Sequence, residues 1–268
     1  MTPTIRAGIG GWTFEPWRGV FYPPGLPQAR ELAHATLQLR TLEINGTYYS
    51  LQSAKSFATW RDAAPPDFVF TVKGSRFVTN RRVLAEAGES VQRFVGSGLA
   101  ELGPKLGPLV WQFAPTKVFD AADFGAFLAL LPRQVAGVPL RHAVEVRHAS
   151  FATPAFVALV RQHGVAIVFG ESDDYPRIAD VTADFVYLRV MRAEAALADG
   201  YTPAALDAIA QGARLWRDGA QPAAVPLADA TATPPVQPRN VFVLFISAAK
   251  ERNPAAAMAL QRRVDALG

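Results

Sequence analysis

HAVEVRHASFATPAFVALVRQHGVAIVF, residues 142–169, contains one complete structural unit of this chain. HAVEVR (142–147) and VAIVF (165–169) are short apolar runs rich in β-branched residues, as in strands buried on both faces. Between them, Pro154 opens and Gly164 closes a segment with helical spacing of apolar residues. A strand, a helix and a strand in this order predict two parallel strands joined by a helical crossover.

The same alternation extends along the whole chain. The other predicted strands are AGIG (7–10), TLEI (41–44), FVFTVK (68–73), LVWQF (109–113), FVYLR (185–189) and VFVLFI (241–246). The other predicted helices cover 27–39, 53–63, 89–102 and 116–131, and two more begin at Pro203 and at Asn253-Pro254. Eight strands with intervening helices on 268 residues predict a parallel α/β barrel of the TIM (β/α)8 type, formed by residues 1–268 as a single domain. An open α/β sheet is the alternative.

One segment lacks this pattern. Residues 218–240, DGAQPAAVPLADATATPPVQPRN, are rich in Pro, Ala and Thr and have no apolar period. We interpret them as a flexible insertion before the last strand, at the end of the barrel away from the active face. No chemistry is assigned to them.

Composition narrows the classes of function. The chain has no cysteine, which excludes disulfides, thiolate metal sites and cysteine nucleophiles, and fits a cytoplasmic protein. It shows no signal peptide and no apolar run long enough to span a membrane, so no membrane partner is expected. The net charge of +4 is small and its basic residues are scattered, so nucleic-acid binding has weak support.

Polar side chains stand at the carboxyl ends of the predicted strands, which is where barrels bind their ligands. They are Glu43, Asn45, Lys73, Arg76, Gln112, Glu145, Arg147, His148, Tyr187 and Arg189. We expect them to converge around one cavity, since parallel strands end at the same face of a barrel. A structural alternative is a ring of ion pairs, Glu43 with Lys73 and Glu145 with Arg147 or Arg189, because buried charges need partners.

The chemistry of these groups suggests roles. Glu145, Glu43 and His148 are the candidate catalytic residues, since a carboxyl group or an imidazole can transfer protons when its environment shifts its pKa. Arginine and lysine can hold a phosphate or a carboxylate. Trp12 belongs to an aromatic first loop that suits a flat ligand, or that packs over the barrel mouth. A hydrogen bond that caps a loop is the structural alternative for His148.

Other sites have little support. No metal site is assigned, although Glu43, Glu145, Glu171 and Asp173 have the ligand chemistry for magnesium or manganese. Gly8-x-Gly10-Gly11 lacks the rest of a dinucleotide-binding fingerprint, and the sequence contains no HExxH, GxSxG or Walker motif. No cofactor can be named.

Ordered blocks along the chain resemble the YecE-like family, known as domain of unknown function seventy-two. They are Gly11-Trp12 with Trp17, Gly19 and Phe21-Tyr22-Pro23; Thr41 to Tyr49; Trp60 with Phe68 to Lys73 and Thr79; Leu106-Gly107-Pro108 with Gln112-Phe113 and Pro115; Val144 to His148; and Thr182 to Arg189. The resemblance implies a TIM-type barrel with a conserved pocket and no settled reaction. Tyr49, from the second block, joins the predicted ligand-binding residues.

Three departures from the family pattern lie at the carboxyl ends of predicted strands, where the ligand is expected. Val190-Met191 stand where the family usually has His-Gly, and Ile246-Ser247-Ala248-Ala249 replace an Asn-Asn-Asp type of sequence. Gly170-Glu171-Ser172-Asp173 replaces or displaces an aspartate after strand six. The chain is therefore expected to be a divergent member.

These observations predict an uncharacterised barrel protein that binds an anionic small molecule, bearing phosphate or carboxylate, at the carboxyl ends of its strands. The predicted ligand-binding residues are Trp12, Asn45, Tyr49, Lys73, Arg76, Gln112, Arg147, Tyr187 and Arg189. Acid/base catalysis by carboxylates is the enzymatic form of this hypothesis. The alternatives are a non-catalytic module that binds nucleic acid or protein, and a divalent-metal-dependent hydrolase or nuclease. The sequence decides neither whether the protein is an enzyme nor its oligomeric state.

Overall fold

A computed structural model describes residues 3–266. Its main feature is a closed barrel of eight parallel strands. They are β1 (Ile5–Gly10), β2 (Thr41–Ile44), β3 (Val69–Lys73), β4 (Leu106–Gln112), β5 (His142–Glu145), β6 (Ala166–Glu171), β7 (Phe185–Val190) and β8 (Asn240–Phe245). The predicted TIM-type barrel and its single domain are thus confirmed.

The helices surround this barrel. They are α1 (Glu31–Gln38), α2 (Gly46–Tyr49), α3 (Ala54–Asp62), α4 (Arg76–Thr79), α5 (Gly88–Val95), α6 (Ala121–Ala129), α7 (Pro154–Gln162), α8 (Pro203–Arg217) and α9 (Asn253–Ala266). Thr153 and Thr202 cap α7 and α8 by accepting a hydrogen bond from a backbone N–H, and a proline follows each of them. These local signals explain why both starts were predictable.

Each strand pairs with its neighbours in sequence, and β1 closes the barrel against β8. The register places Glu43 beside Gly10, and Gln112 beside Glu145. The strands fall close to their predicted positions, but β5 ends at Glu145 rather than at Arg147. Arg147 therefore lies in the loop after the strand.

Two layers fill the barrel. Apolar side chains of the strands form the lower layer, including Val110, Val168, Phe242 and Leu244. The charged and polar ends of the strands form the upper layer, where Arg189 is buried. Since alternate residues of a strand share a face, Tyr187 at the top of the apolar layer and Arg189 above it both point inward.

One connection differs from the prediction of a helix after every strand. Within the described chain, residues 172–184 between β6 and β7 form no helix, and an extended run at 178–182 is buried instead. Residues 220–239 lie against this run: Ala179 N donates to Pro226 O at 2.9 Å, and the Asp180 carboxylate accepts from Ala228 N at 2.7 Å. Part of the segment predicted to be a flexible insertion thus takes the position of a missing helix. Its flexibility stays a prediction.

Candidate functional site

Arg189, at the carboxyl end of β7, is the centre of the polar layer. Its side chain is 2% exposed and forms ion pairs with both Glu43 and Glu145, one through each terminal nitrogen. Nη1 also donates to Gln112 Oε1 at 3.0 Å. Side chains from four strands therefore meet at Arg189. The sequence predicted that these four candidate residues would converge.

Glu43 is completely buried and surrounded by donors. Besides Arg189, the hydroxyl of Tyr187 donates to its Oε2 at 2.9 Å, and the Thr71 hydroxyl lies 2.9 Å from that of Tyr187. Asn45, with its amide nitrogen toward the carboxylate, donates to Oε1 at 2.8 Å. Both carboxylate oxygens are therefore satisfied without any external ligand.

Glu145 has a second cation on its other oxygen. Arg147 donates to Glu145 Oε1 through Nε at 2.7 Å and pairs with it through Nη2 at 2.6 Å, while Arg189 holds Oε2. The guanidinium of Arg147 also lies 4.4 Å from the ring centre of Tyr175. The sequence hypothesis of ion pairs is confirmed for Glu145. For Glu43 its proposed partner was wrong, since Arg189 rather than Lys73 pairs with it.

We call this network the mouth cluster; its members are Glu43, Gln112, Glu145, Arg147, Tyr187 and Arg189. Burial alone would raise the pKa of Glu43, but the charge and hydrogen bonds of Arg189 outweigh it, with help from Lys73, and lower the pKa. Burial and the nearby Glu43 charge raise the pKa of Tyr187 well above its usual range. At neutral pH, Glu43 is therefore an ionised acceptor and Tyr187 a neutral donor.

Lys73, at the end of β3, is unlike the other cations of the barrel mouth. Its Nζ makes no hydrogen bond or ion pair with any of residues 3–266, and lies 4.6 Å from the ring centre of Tyr48. Burial and the charge of Arg189 lower the pKa of Lys73, and the charges of Glu43 and Glu145 offset this only in part. The amine is partly buried, close to the cluster and without an anionic partner.

A cleft opens beside the mouth cluster, between the loops that follow β1, β2 and β8. We call it the mouth cleft; it has a volume of about 310 Å³, and its lining includes Trp12, Asn45, Gln52, Trp60 and Lys250. Trp12 and Trp60 meet edge to face at 5.4 Å. Asn45 links this cleft to Glu43. The cleft combines aromatic walls, an amide and a cation, as ligand pockets commonly do.

Two glycines of β1 stand where a side chain would crowd its neighbours. A Cβ on Gly10 would stand 3.0 Å from Asn45 Nδ2, and one on Gly8 would stand only 1.9 Å from the carbonyl oxygen of Thr41. The Gly8-x-Gly10 pattern thus has a steric explanation in barrel packing, in agreement with the rejected dinucleotide fingerprint.

Six predicted site residues lie outside the mouth cluster. Trp12 and Asn45 line the mouth cleft and Lys73 lies close to the cluster, whereas His148, Tyr49 and Arg76 belong to neither. His148 Nδ1 is 2.8 Å from Ser150 Oγ and accepts from Ser150 N at 3.2 Å, so it caps the short turn after β5. Tyr49 and Arg76 are exposed and contact each other at 5.7 Å from guanidinium carbon to ring centre. The catalytic role of His148 stays a prediction, and its position gives that role no support.

Sequence reasoning missed three contributors. Thr71 lies two residues before Lys73 on one strand face, a signal that alternation offered. Tyr48 and Tyr175 place rings beside Lys73 and Arg147. Those two contacts join residues distant in sequence, so spacing carried no signal for them. Lys250, a charged residue that the sequence places soon after the last strand, lines the mouth cleft.

Metal binding finds no matching geometry in the part of the chain that is described. Residues 3–266 contain no group of three or more histidine, aspartate or glutamate side chains placed to hold an ion. Instead, Glu171 and Asp173 both form ion pairs with Arg192, the second at 3.2 Å. Among the same residues, no helix is both long and apolar enough to cross a membrane.

Comparisons with known proteins agree with this fold. A family model described as "Protein of unknown function DUF72" matches residues 6–267. A DUF72 family protein of Thermotoga maritima MSB8 has 22% sequence identity and a TM-score of 0.74, over 98% of this chain and 99% of its own. One from Enterococcus faecalis V583 has 16% identity and a TM-score of 0.70, over 98% and 96%. No curated protein matches the chain.

Proposed function

Starting from the fact that the chain belongs to the DUF72 family of proteins of unknown function, we propose that it binds a small anionic molecule at the mouth of its barrel. The phosphate or carboxylate group would be held by Lys73, and the rest of the molecule would lie in the mouth cleft. Lys250 on the wall of that cleft is a second cation for the same ligand. A cytoplasmic location is part of this proposal and rests on composition.

The observation that carries the proposal is the unpaired amine of Lys73. Arg189 is neutralised by two carboxylates and Arg147 by one of them, so neither is free for a ligand. The two carboxylates and three cations leave one positive charge, and Lys73 is the cation without an anion in contact. A partly buried cation with no counter-ion is the arrangement that an anionic ligand would complete.

Lys250 supports the same interpretation. Its Nζ lies 4.4 Å from the ring centre of Phe14 and 5.4 Å from that of Trp17, and makes no ion pair with the described residues. Burial lowers the pKa of Lys250. Because partial burial strengthens electrostatic attraction, two such amines would bind one anion better than exposed lysines would.

Catalysis by Glu43 and Glu145 is the enzymatic form of the proposal. Glu43, with its lowered pKa, is ionised at neutral pH, so it could accept a proton or stabilise positive charge, but it could not act as a general acid. Both carboxylates contact Arg189, which must move before either of them can reach a substrate. No observation favours the metal-dependent alternative, because Arg189 occupies the space between the two glutamates.

The proposal can be tested with phosphate, sulfate, pyruvate and citrate as probes. Saturation at about 100 times the Kd stabilises a protein by roughly 2.7 kcal/mol, which raises the Tm by about 5–10 °C at this size. We expect Lys73→Met to abolish the shift caused by the probe that binds. Lys55→Met, which removes an exposed lysine of α3, is the matched control and should keep it. A shift that survives in Lys73→Met would refute the assignment.

A further inference from the structure

A second surface lies on the rim of the barrel, around α4. Ten large apolar side chains are exposed among residues 3–266, and five of them line two clefts here that share Arg81. These five are Tyr49, Leu51, Phe77, Val83 and Val118. Scattered exposed apolar residues are ordinary, but a concentration of them in one place marks an interaction site.

The same surface is rich in arginine. Arg76, Arg82 and Arg93 are exposed and make no ion pair with the described residues. Among residues 3–266, Arg81 donates only to two neutral oxygens, Phe77 O at 3.2 Å and Ser90 Oγ at 3.0 Å. We call Tyr49, Arg76, Phe77, Arg81, Arg82 and Arg93 the rim surface.

Acidic side chains do not neutralise this area. Asp123 and Asp120 both line the second cleft; Asp123 pairs with Lys117 at 2.8 Å, and Asp120 caps α6 by accepting from Asp123 N. Glu86 and Glu89 line neither cleft and form no ion pair with these arginines. Within the described chain, four arginines thus face the single unpaired carboxylate of Asp120, and the rim surface presents an excess of positive charge.

Aromatic rings and a guanidinium alternate on this surface. The Arg76 guanidinium carbon lies 5.7 Å from the ring centre of Tyr49 and 5.5 Å from that of Phe77. Tyr49 is 61% exposed and Phe77 is 59% exposed, so much of each ring remains open to a ligand. Planar groups that are presented in this way can stack on the faces of nucleobases.

We propose that the rim surface binds single-stranded nucleic acid. Its bases would stack on Tyr49 and Phe77, while Arg81, Arg82 and Arg93 would contact its phosphates. The two clefts have volumes of about 540 and 580 Å³, and Arg81 lines both of them. An acidic peptide lacks bases to stack on the rings, and a duplex hides its base faces. This site is independent of the proposed anion site at the mouth.

The binding test uses the intact protein and a fluorescein-labelled (dT)20 or (rU)20, with anisotropy measured at 25 and 150 mM NaCl. We expect binding at low salt that weakens as salt rises, since phosphate contacts release counterions. Unlabelled single strand should compete for the site. A 20-base-pair duplex or dTMP should compete much less well.

Substitutions on the rim surface separate the contribution of stacking from that of charge. Phe77→Ala and Tyr49→Ala should each weaken binding by about 5- to 150-fold, the cost of one lost base stack. Arg82→Ala together with Arg93→Ala should make the slope of log affinity against log salt shallower by about 1.4, since each phosphate contact contributes roughly 0.7. Val236→Ala and Arg262→Ala, exposed positions on other parts of the barrel, are the matched controls.

Each contrary result is decisive. Absence of binding at 25 mM NaCl would overturn the proposal. So would binding that Phe77→Ala leaves unchanged, or equal competition by the duplex or by dTMP. If an alanine variant is unstable, Phe77→Leu and Tyr49→Leu keep the apolar volume without the ring, and they should lose affinity in the same way.

Discussion

The mouth cluster and the rim surface use arginine in opposite ways. Arg189 has a side chain that is 2% exposed and contacts two carboxylates, whereas Arg76 is exposed and contacts only aromatic rings. Sequence reasoning placed both in one ligand site. The difference teaches that an arginine becomes structural when it points into the barrel and carboxylates from other strands reach it, and remains free for a partner when it lies on the helix that follows a strand.

Arg189→Met should show the largest effect. It leaves Glu43 and Glu145 buried without their shared cation, which is expected to lower the free energy of unfolding by about 3–5 kcal/mol. Urea unfolding measured by circular dichroism tests this. Arg76→Met is the matched control and should change stability by less than about 0.5 kcal/mol, because it removes an exposed side chain. Equal effects of the two variants would contradict the comparison.

Glu43→Gln should have a smaller effect, since Glu145 still pairs with Arg189. Loss of charge-assisted hydrogen bonds is expected to cost about 2 kcal/mol at pH 7. The folded state lowers the pKa of Glu43, so its contribution is complete above the unfolded pKa of about 4.3 and disappears as the pH falls through the folded value. The advantage of the wild type over Glu43→Gln should therefore begin to shrink as the pH falls below about 4.3, and should keep shrinking toward lower pH.

The quantity to measure is the difference in unfolding free energy between the wild type and Glu43→Gln. A second acid-sensitive group, His142, contributes equally to both proteins and cancels in this difference. Burial lowers the pKa of His142 to about 4, so this residue destabilises both proteins equally as the pH falls from about 6.5. A stability difference that does not change between pH 7 and pH 3 would show that Glu43 is not held ionised by the cluster.

Tyr187→Phe should give the smallest change in the mouth cluster. It removes the donor to Glu43 and leaves the Thr71 hydroxyl without that partner, at a cost of about 1–2 kcal/mol. Thr71→Val in the Tyr187→Phe background should recover part of the loss, because it removes the unsatisfied hydroxyl. Chemical denaturation of both variants measures this coupling, and additive losses would argue against a shared network.

The sequence was sufficient to predict most of the barrel. Strand positions follow from continuous apolar runs, and the starts of α7 and α8 follow from Thr-Pro pairs. The helix-free connection after β6 was not anticipated as such, because nothing in local spacing shows that residues 220–239 pack there. The hydrogen bond from Ala179 N to Pro226 O forms between residues that are far apart in sequence.

For the site, the convergence of charges was predictable and their partners were not. Parallel strands end at one face, so Glu43, Glu145 and Arg189 had to approach one another. Which cation reaches Glu43 depends on how the side chains cross the barrel interior. Arg189 reaches it from β7, while the amine of Lys73 lies against the ring of Tyr48. The separation of Tyr49 and Arg76 from the cluster follows from their place on the short helices α2 and α4 and the outward direction of their side chains.

The covering of β6–β7 by residues 220–239 has a consequence for biosynthesis. A ribosome completes both strands dozens of residues before it produces the segment that shields the run at 178–182. During that interval a nascent chain would expose Ile178 and Val181, apolar side chains that the finished protein buries. This part of the wall should therefore be where chaperones engage the growing polypeptide, and where C-terminal truncations aggregate first.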